Sequence, residues 1–411
     1  MRVEWSGVNP SDVKSRMGLR SKVMPFPRII PHSDGSVEIY ETGPASPFPS
    51  RSSAPLPRTV YAAAHVVADP LRMTDPVLAP VVDWDATLKF RHHLWGLGMK
   101  IAEAMDTSQR GMGLDWSGAK ELIRRSLAEA KTVNGADLAC GAGTDQLDPT
   151  KTHTLDDVVA AYEEQFAHIE AHGGRAIMMA SRALASVAKS RDDYLEVYDR
   201  IIGQAQDKVI LHWLGDMFDP QLAGYWASRD VDTAMETVLD LIRSHQGKID
   251  GIKISLLEQR HEEKLRAALP ASVKMYTGDD FNYADLIEGD GKHASHALLG
   301  IFDPIAPAAA AALQRLAAGD SVGYHAILDP TVALSRKIFE APTQFYKAGV
   351  VFLAWLNGFQ NHFRMIGGMD ASRGIMHYAD VFRLADKAQL LVDPELAAAR
   401  MKRLAAISGI G

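Results

Sequence analysis

The chain has 411 residues, 47% of them apolar, so it can bury a large core as one large α/β domain or as two ordinary domains. Its formal net charge is −7, which argues against a nucleic-acid-binding surface and favours a small neutral or acidic metabolite as partner. The single cysteine, Cys140, excludes an intrachain disulfide and a zinc site built on paired thiolates. No apolar run is long enough to cross a bilayer and no signal peptide is recognised, so we expect a cytoplasmic protein.

Residues 1–57 are rich in Pro, Ser and Arg and are expected to form an extension outside the main domain. Residues 28–30 and 37–40 flank the turn sequence Ser33-Asp34-Gly35-Ser36, which predicts a β-hairpin. Such an arm is suited to wrapping a neighbouring subunit, but its sequence assigns it no role.

From residue 58 onward, short apolar runs alternate with long amphipathic stretches, which is the pattern of repeated βα units. Eight alternating strands over about 250 residues predict a (β/α)8 barrel, here residues 58–330. A doubly wound sheet would need a Gly-rich phosphate turn after its first strand, and none is present. The eight predicted strands are residues 60–67, 99–105, 136–141, 175–180, 208–213, 249–255, 273–277 and 296–302.

Helical sequence fills most of the gaps between these strands. Asp115 or Ser117 is expected to cap one helix, and Thr154 with an acid three residues later resembles a capping box. An alanine-rich helix is predicted from Ala306, and residues 331–411 are expected to form a C-terminal helical segment packed on the barrel.

Lys253 is the most informative residue, because it is the only cation inside the apolar run 249–255. Burial there would lower the pKa of its ammonium group and make a neutral amine available to form a Schiff base with a carbonyl compound. The alternative is a lysine at a strand end that extends to water or forms a salt bridge. The run alone favours the alternative, and its place as the sixth strand of a barrel favours the amine.

In a barrel of this kind the reacting groups come from the C-terminal ends of the strands and the loops that follow them. This rule selects Lys253 together with several polar segments. One lysine, hydroxyl groups and an arginine suit a carbonyl compound with an anionic or polyhydroxyl end. The segments are Asp106-Thr107-Ser108-Gln109, Gly141-Ala142-Gly143-Thr144-Asp145, Ser181-Arg182, His212-Trp213 and Thr277-Gly278-Asp279-Asp280.

The order and spacing of these segments resemble the dihydrodipicolinate synthase and N-acetylneuraminate lyase superfamily of Schiff-base aldolases, over about residues 58–360. Gly251-Ile252-Lys253 resembles the family's Gly-Ile-Lys, and Thr107-Ser108 stands where the family has the threonine pair of Gly-Thr-Thr-Gly-Glu. The remaining similar segments are 138–143 with Ile-Ala-Gly-Thr-Gly, 209–213 with Ile-Leu-Tyr-Asn, 277–280 with Ser-Gly-Asp-Asp and 305–307 with Val-Ala-Pro.

The resemblance implies a lyase, aldolase or dehydratase that acts on a 2-oxo acid or keto-sugar without a metal or organic cofactor, in a homodimer or homotetramer. Lys253 would form the imine, and His212 or Asp279 would move protons. The implied substrate-binding residues are Thr107, Ser108, Arg182, Gly141 and Gly278.

The departures from the family pattern point to a divergent subgroup. The family's fourth strand ends in Thr-Pro-Tyr-Tyr, one tyrosine of which relays protons, whereas this chain has Ala180-Ser181-Arg182. Asp106 and Gln109 replace the two glycines around the hydroxyl pair, which puts carboxylate binding there in doubt. The arm has no counterpart in the family.

Each of these residues also has an ordinary structural interpretation. Thr107 and Ser108 are as well suited to satisfying loop backbone groups, His212 to a place in the core, and Asp279 or Asp280 to capping the next helix. His92 and His93 are adjacent on a predicted helix and diverge by about 100°, so they do not predict a metal site.

Two other functional classes remain open. A metal-dependent sugar isomerase or epimerase would use Glu103, Asp145, His212 and Asp279 on one divalent ion. A non-catalytic barrel that binds a metabolite is the third hypothesis, which the missing tyrosine keeps open.

Overall fold

The computed structural model describes residues 29–31, 37–52 and 54–410. Its strands are β1 Ile29–Pro31, β2 Val37–Ile39, β3 Val60–Ala63, β4 Lys100–Glu103, β5 Leu138–Ala142, β6 Arg175–Met178, β7 Val209–Leu214, β8 Ile249–Ser255, β9 Lys274–Thr277 and β10 His296–Leu299. Its helices are α1 Trp84–Gly96, α2 Trp116–Ala130, α3 Leu155–Ala171, α4 Arg182–Val187, α5 Arg191–Gln204, α6 Val231–Ser244, α7 Gln259–Ala268, α8 Tyr283–Glu288, α9 Ala306–Ala317, α10 Ser321–Ile338, α11 Tyr346–Leu356, α12 Ile375–Lys387 and α13 Pro394–Ile407.

Strands β3 to β10 form a closed barrel in which every neighbouring pair is parallel and β10 returns to β3. Helices alternate with the strands around it. The predicted (β/α)8 barrel is therefore confirmed, and each of the eight predicted runs contains or overlaps one of its strands.

The strands are buried on both faces, which explains why they read as apolar runs without a clear polar alternation. Side chains that point inward fill the barrel, while those that point outward pack against the helices. The inward set is Tyr61, Ala63, Ala102, Met105, Ala139, Ile177, Met179, Ile210, Tyr276 and Leu298.

The helix starts follow from local capping. The Asp115 side chain, rather than that of Ser117, accepts from the Gly118 N–H at the start of α2. Thr154 and Asp157 form the expected capping box at the start of α3. These caps satisfy N–H groups that a helix leaves without internal partners.

Helix α1 accounts for the paired histidines. His92 bonds to Glu129, whereas the ring of His93 packs 4.5 Å from that of Phe359. The two side chains serve different neighbours, as expected for adjacent helix positions.

The C-terminal helices pack on one another and on the mouth of the barrel. All of α11 is buried, and it contacts α10, α12 and α13. Its first residue, Tyr346, contacts Thr107 in the loop after β4. None of the helices in the described ranges is both long and apolar enough to span a membrane.

The predicted hairpin is present as the antiparallel pair β1 and β2, with Ile29 opposite Ile39. Its turn, residues 32–36, and residues 1–28 lie outside the described part of the chain. After the hairpin, the Tyr40 hydroxyl donates to Asp386 of α12 at 2.8 Å. The segment after the hairpin is thus attached to the C-terminal helices; the boundaries at residues 57 and 330 remain a prediction.

Candidate active site

Lys253 lies in β8 and points into the barrel near its C-terminal end. It pairs with His212 of β7 and Tyr276 of β9. The residue is 7% exposed, and its amine makes no hydrogen bond or ion pair with any residue in the described ranges. Burial lowers the pKa of this ammonium group, while Asp280 and Asp106 act against that change. The side chain lines a small pocket of about 10 Å³, which has room for about one water-sized group.

Asp280 is the acid that faces Lys253 across this pocket. Burial raises the pKa of its carboxyl group to about 7, and the charge of Lys253 partly offsets the rise. The Ile301 N–H donates to its carboxylate at 2.9 Å, which fixes its orientation. A carboxyl group with a pKa near neutrality can both give and accept a proton.

Asp279, the acid that the sequence analysis selected, is used elsewhere. Its carboxylate accepts from the Phe281 N–H at 2.8 Å and from Asn282 through the backbone and the side chain. It therefore fixes the turn that leads into α8, whose N-cap is Asn282 without a side-chain cap, so Asp279 does not cap the helix as the alternative interpretation had it. The missed signal is the alternate spacing of Tyr276, Gly278 and Asp280: Tyr276 points into the barrel within β9, and Gly278 and Asp280, just beyond its end at Thr277, border Lys253.

His212 lies beside Lys253 on the neighbouring strand and lines a larger cavity outside the lysine pocket. Neither of its ring nitrogens has a hydrogen-bond partner among the described residues. Burial, with a further contribution from the charge of Lys253, lowers its pKa well below the ordinary value. The imidazole is therefore neutral at physiological pH.

Thr107 reaches the lysine pocket, and its hydroxyl lies 2.8 Å from that of Tyr346. Tyr346 is buried, and its ring stacks on that of Phe339 with centroids 4.4 Å apart. Gly300 makes room for this ring, since a Cβ there would lie 3.2 Å from it. Ser108 does not line the pocket, and its hydroxyl donates to the Met105 carbonyl at 2.9 Å.

Tyr346 was not predicted from the sequence, because it lies 239 positions from Thr107 along the chain. No local motif joins α11 to the barrel. The only signal was a polar Tyr346-Lys347 pair at the start of an otherwise apolar helix.

The two glycines selected from the sequence have steric roles. A Cβ at Gly278 would lie 2.7 Å from Cε of Lys253, so the absence of a side chain leaves space for the lysine. A Cβ at Gly141 would lie 2.7 Å from the Ala104 carbonyl oxygen and from the Met179 sulfur. Gly278 therefore borders the lysine, whereas Gly141 permits packing inside the barrel.

Comparison with known families assigns residues 29–410 to the family described as "Protein of unknown function (DUF993)". The chain belongs to the DUF993 family. Comparison with curated proteins finds no match.

Solved structures share the fold of this DUF993 protein. The dihydrodipicolinate synthase of Aquifex aeolicus is 13% identical with a TM-score of 0.61, over 82% of this chain and 99% of that one. The 4-hydroxy-tetrahydrodipicolinate synthase of Methylacidiphilum fumariolicum SolV is 14% identical with a TM-score of 0.61, over 83% and 99%. The resemblance predicted from the sequence is therefore confirmed for the fold.

Two cavities open outward from the lysine pocket of the DUF993 protein, and Asp106 and Leu214 border all three spaces. One, of about 320 Å³, is lined by His212 and Arg182. The other, of about 250 Å³, is lined by Arg182, Tyr346 and Lys347. Arg182 is half exposed, and its Nε donates to Asp219.

The residues of the metal-dependent hypothesis do not come together. Glu103 accepts from Arg91 at 2.7 and 3.0 Å, and Asp145 is paired with Arg110 at 2.7 Å. Within residues 29–31, 37–52 and 54–410, no three His, Cys, Asp or Glu side chains are placed to hold one ion. This donor set therefore does not fit a shared metal.

Proposed function

We propose that the protein is a Schiff-base-forming lyase, of the aldolase or dehydratase type, that acts on a 2-oxo acid or keto-sugar through Lys253. The observation that carries the proposal is the buried amine of Lys253, which has a lowered pKa and no partner among the described residues and lies near the C-terminal end of a barrel strand. The shared fold with dihydrodipicolinate synthases supports this chemistry but does not identify a substrate.

In the proposed reaction the Nζ lone pair of Lys253 adds to the carbonyl carbon, and one proton passes from Nζ to the carbonyl oxygen. A second proton, supplied to that oxygen, lets it leave as water while the nitrogen lone pair forms the C=N bond, which gives a protonated imine that accepts electrons from the neighbouring bond. Asp280 is suited to supply and recover these protons because its pKa lies near 7. His212 stays neutral and so adds no second cation beside the forming imine.

Tyr346 is our candidate for the proton carrier that replaces the tyrosine missing from the fourth barrel strand. Its hydroxyl shares a hydrogen bond with Thr107, and both side chains border the pocket of Lys253. Stacking on Phe339 fixes the ring. Thr107 would thus orient the tyrosine, and Arg182 would bind a polar or anionic part of the substrate from the outer cavity.

The test is borohydride trapping with pyruvate and a panel of 2-oxo acids and keto-sugars, read from the mass of the intact protein. We expect one substrate-sized adduct per chain in the wild type and none in Lys253→Ala. Lys347→Met is the matched control, because Lys347 is a second buried lysine next to the pocket. Burial lowers the pKa of Lys347 to about 8. An adduct that persists in Lys253→Ala would contradict the proposal.

A further inference from the structure

Lys347 is a buried cation without an anionic partner. The residue is 4% exposed, and its Nζ donates to the Gln344 carbonyl at 3.0 Å and lies 3.3 Å from the Met112 sulfur. It forms no ion pair with any carboxylate in the part of the chain that the structure describes. Burying a charge without a counter-ion is costly, so its place on the wall of a cavity needs an explanation.

The other two cations that line this cavity, Arg110 and Arg182, differ in how many of their N–H donors have no hydrogen-bond partner among the described residues. Arg110 is saturated, since its guanidinium donates to Asp145, to Gln165 and to the carbonyls of Ala104 and Gly141. It is therefore a structural residue that ties the loop after β4 to β5, to the loop after β5 and to α3.

Arg182, in contrast, uses only Nε, which donates to Asp219. Its two terminal amino groups have no hydrogen-bond partner among the described residues, and they belong to a side chain that lines the same cavity as Lys347. The second oxygen of Asp219 accepts from the Gln221 N–H at 3.1 Å. Asp219 thus orients Arg182, and its charge favours the ammonium form of Lys347 without forming an ion pair with it among the described residues.

Lys347 and Arg182 are close enough to repel each other, since the charge of Arg182 disfavours the ammonium form of Lys347. Asp106 acts in the opposite direction on Lys347, and also on Lys253, without an ion pair to either. An anion held between Lys347 and Arg182 would relieve this repulsion and satisfy the unused donors of both.

We propose that Lys347 and Arg182 form an anion-binding subsite, and that the substrate carries a carboxylate or phosphate remote from the carbonyl that reacts with Lys253. This inference rests on the proposed function of Lys253. The cavity shares Asp106, Leu214, Phe218 and Tyr346 with the lysine pocket, so one molecule can occupy both. The substrate class is then an oxo diacid or a phosphorylated keto-sugar.

The test compares matched pairs of carbonyl compounds by the concentration that gives half-maximal borohydride trapping. The carboxylate arm uses 2-oxoglutarate against 2-oxopentanoate and 2-oxoadipate against 2-oxohexanoate, and the phosphate arm uses dihydroxyacetone phosphate against dihydroxyacetone. We expect the member with the additional carboxylate or phosphate, in at least one pair, to be trapped at a concentration at least about tenfold lower. The arm in which this happens identifies the anion.

Lys347→Met should remove the preference for the member with the additional anionic group, measured as the ratio of the two half-maximal concentrations in that variant. Arg182→Gln, at a half-exposed position, is the second variant and should weaken the same preference. Lys151→Met is the control, because Lys151 is 71% exposed at the edge of the other cavity and should have no effect.

Equal trapping of both members in every pair would overturn the inference while leaving the proposed function intact. Trapping of no compound at all would instead contradict the proposed function. In that case, the anion subsite is tested by itself, by calorimetric titration of the Lys253→Ala variant with inorganic phosphate. Binding that is lost in the double variant Lys253→Ala, Lys347→Met supports the subsite. Binding that is absent, or that the second substitution does not change, overturns it.

Discussion

Among single residues, the proposed reactivity of Lys253 depends on its electrostatic coupling to Asp280. The charge of Asp280 raises the pKa of Lys253, and the charge of Lys253 lowers the pKa of Asp280, so each group favours the charged form of the other. Burial has the opposite effect on both pKa values. Asp280, with a pKa of about 7, can therefore take up and release a proton beside Lys253 near neutral pH, which is what successive addition and dehydration require.

Replacing Asp280 with Asn should lower the pH at which adduct formation is half-maximal. The sign follows because the charge of Asp280 raises the pKa of Lys253, so its removal lets the amine lose its proton at lower pH. The measurement is the initial rate of borohydride trapping against pH. Asp279→Asn, which keeps acceptors for the start of α8, is the control and should leave the midpoint in place. A larger shift in Asp279→Asn than in Asp280→Asn would restore Asp279 as the acid.

Removing the Tyr346 hydroxyl with Tyr346→Phe should slow proton transfer about 100-fold while leaving the imine to form. The readout is exchange of the protons next to the carbonyl of the trapped 2-oxo acid with D2O, followed by NMR, beside the yield of adduct. Tyr324→Phe is the control, since it removes another buried hydroxyl, which donates to the Ala284 carbonyl at 2.8 Å. Unchanged exchange in Tyr346→Phe would exclude it as the proton carrier.

Adding one methyl group at Gly278 should abolish the adduct. A Cβ there would lie 2.7 Å from Cε of Lys253 and would also meet Ser255, so the lysine would have to leave its position. Intact-protein mass after trapping measures the effect, and thermal denaturation verifies that the variant folds. Gly203→Ala, in the exposed surface of α5 with no atom near its Cβ, should keep full trapping.

At the scale of elements, the sequence predicts what local pattern determines. Eight apolar runs and two capping motifs located the barrel strands and two helix starts, because apolar runs and N-terminal caps involve neighbouring residues. Lys253 was found for the same reason. Tyr346 and Lys347 were not, because α11 reaches the barrel mouth through tertiary packing, and the polar pair at its start does not show which part of the barrel it contacts. Asp279 was preferred to Asp280 because the two-residue spacing from Tyr276 was not followed beyond the end of β9.

Helix α7 carries a buried acid that should make stability depend on pH. The Ser295 hydroxyl donates to Glu262 at 2.6 Å, and the second carboxylate oxygen has no partner among the described residues. Burial raises its pKa to about 8. Since the unfolded chain releases this proton near its ordinary pKa of about 4.3, its stabilising contribution is full below that pH and is lost as pH rises to about 8.

Glu262→Gln removes this titration, so the variant should gain stability over the wild type progressively between about pH 5 and pH 8, by up to about 1.4 kcal/mol per pH unit. Chemical denaturation at several pH values measures the difference. Glu263→Gln, at the exposed neighbouring position, should show no such trend. A constant difference across this range would mean that Glu262 is ionised in the fold.

At the scale of the whole molecule, the barrel supplies the nucleophile and the C-terminal helices complete its surroundings. Lys253, Thr107 and Asp280 come from the ends of barrel strands, whereas Tyr346 and Lys347 come from α11. The fold is shared with dihydrodipicolinate synthases. The inferred anionic end of the substrate rests on Lys347 and Arg182, which line the same cavity.

The most direct test of the central claim is to locate the reduced adduct by peptide mass analysis of wild-type protein after borohydride trapping. Two buried lysines with lowered pKa border the connected cavities, so the position of the adduct distinguishes them. We expect the reduced adduct only on the peptide that contains Lys253. Modification of the peptide that contains Lys347, or adducts spread over exposed lysines, would contradict it.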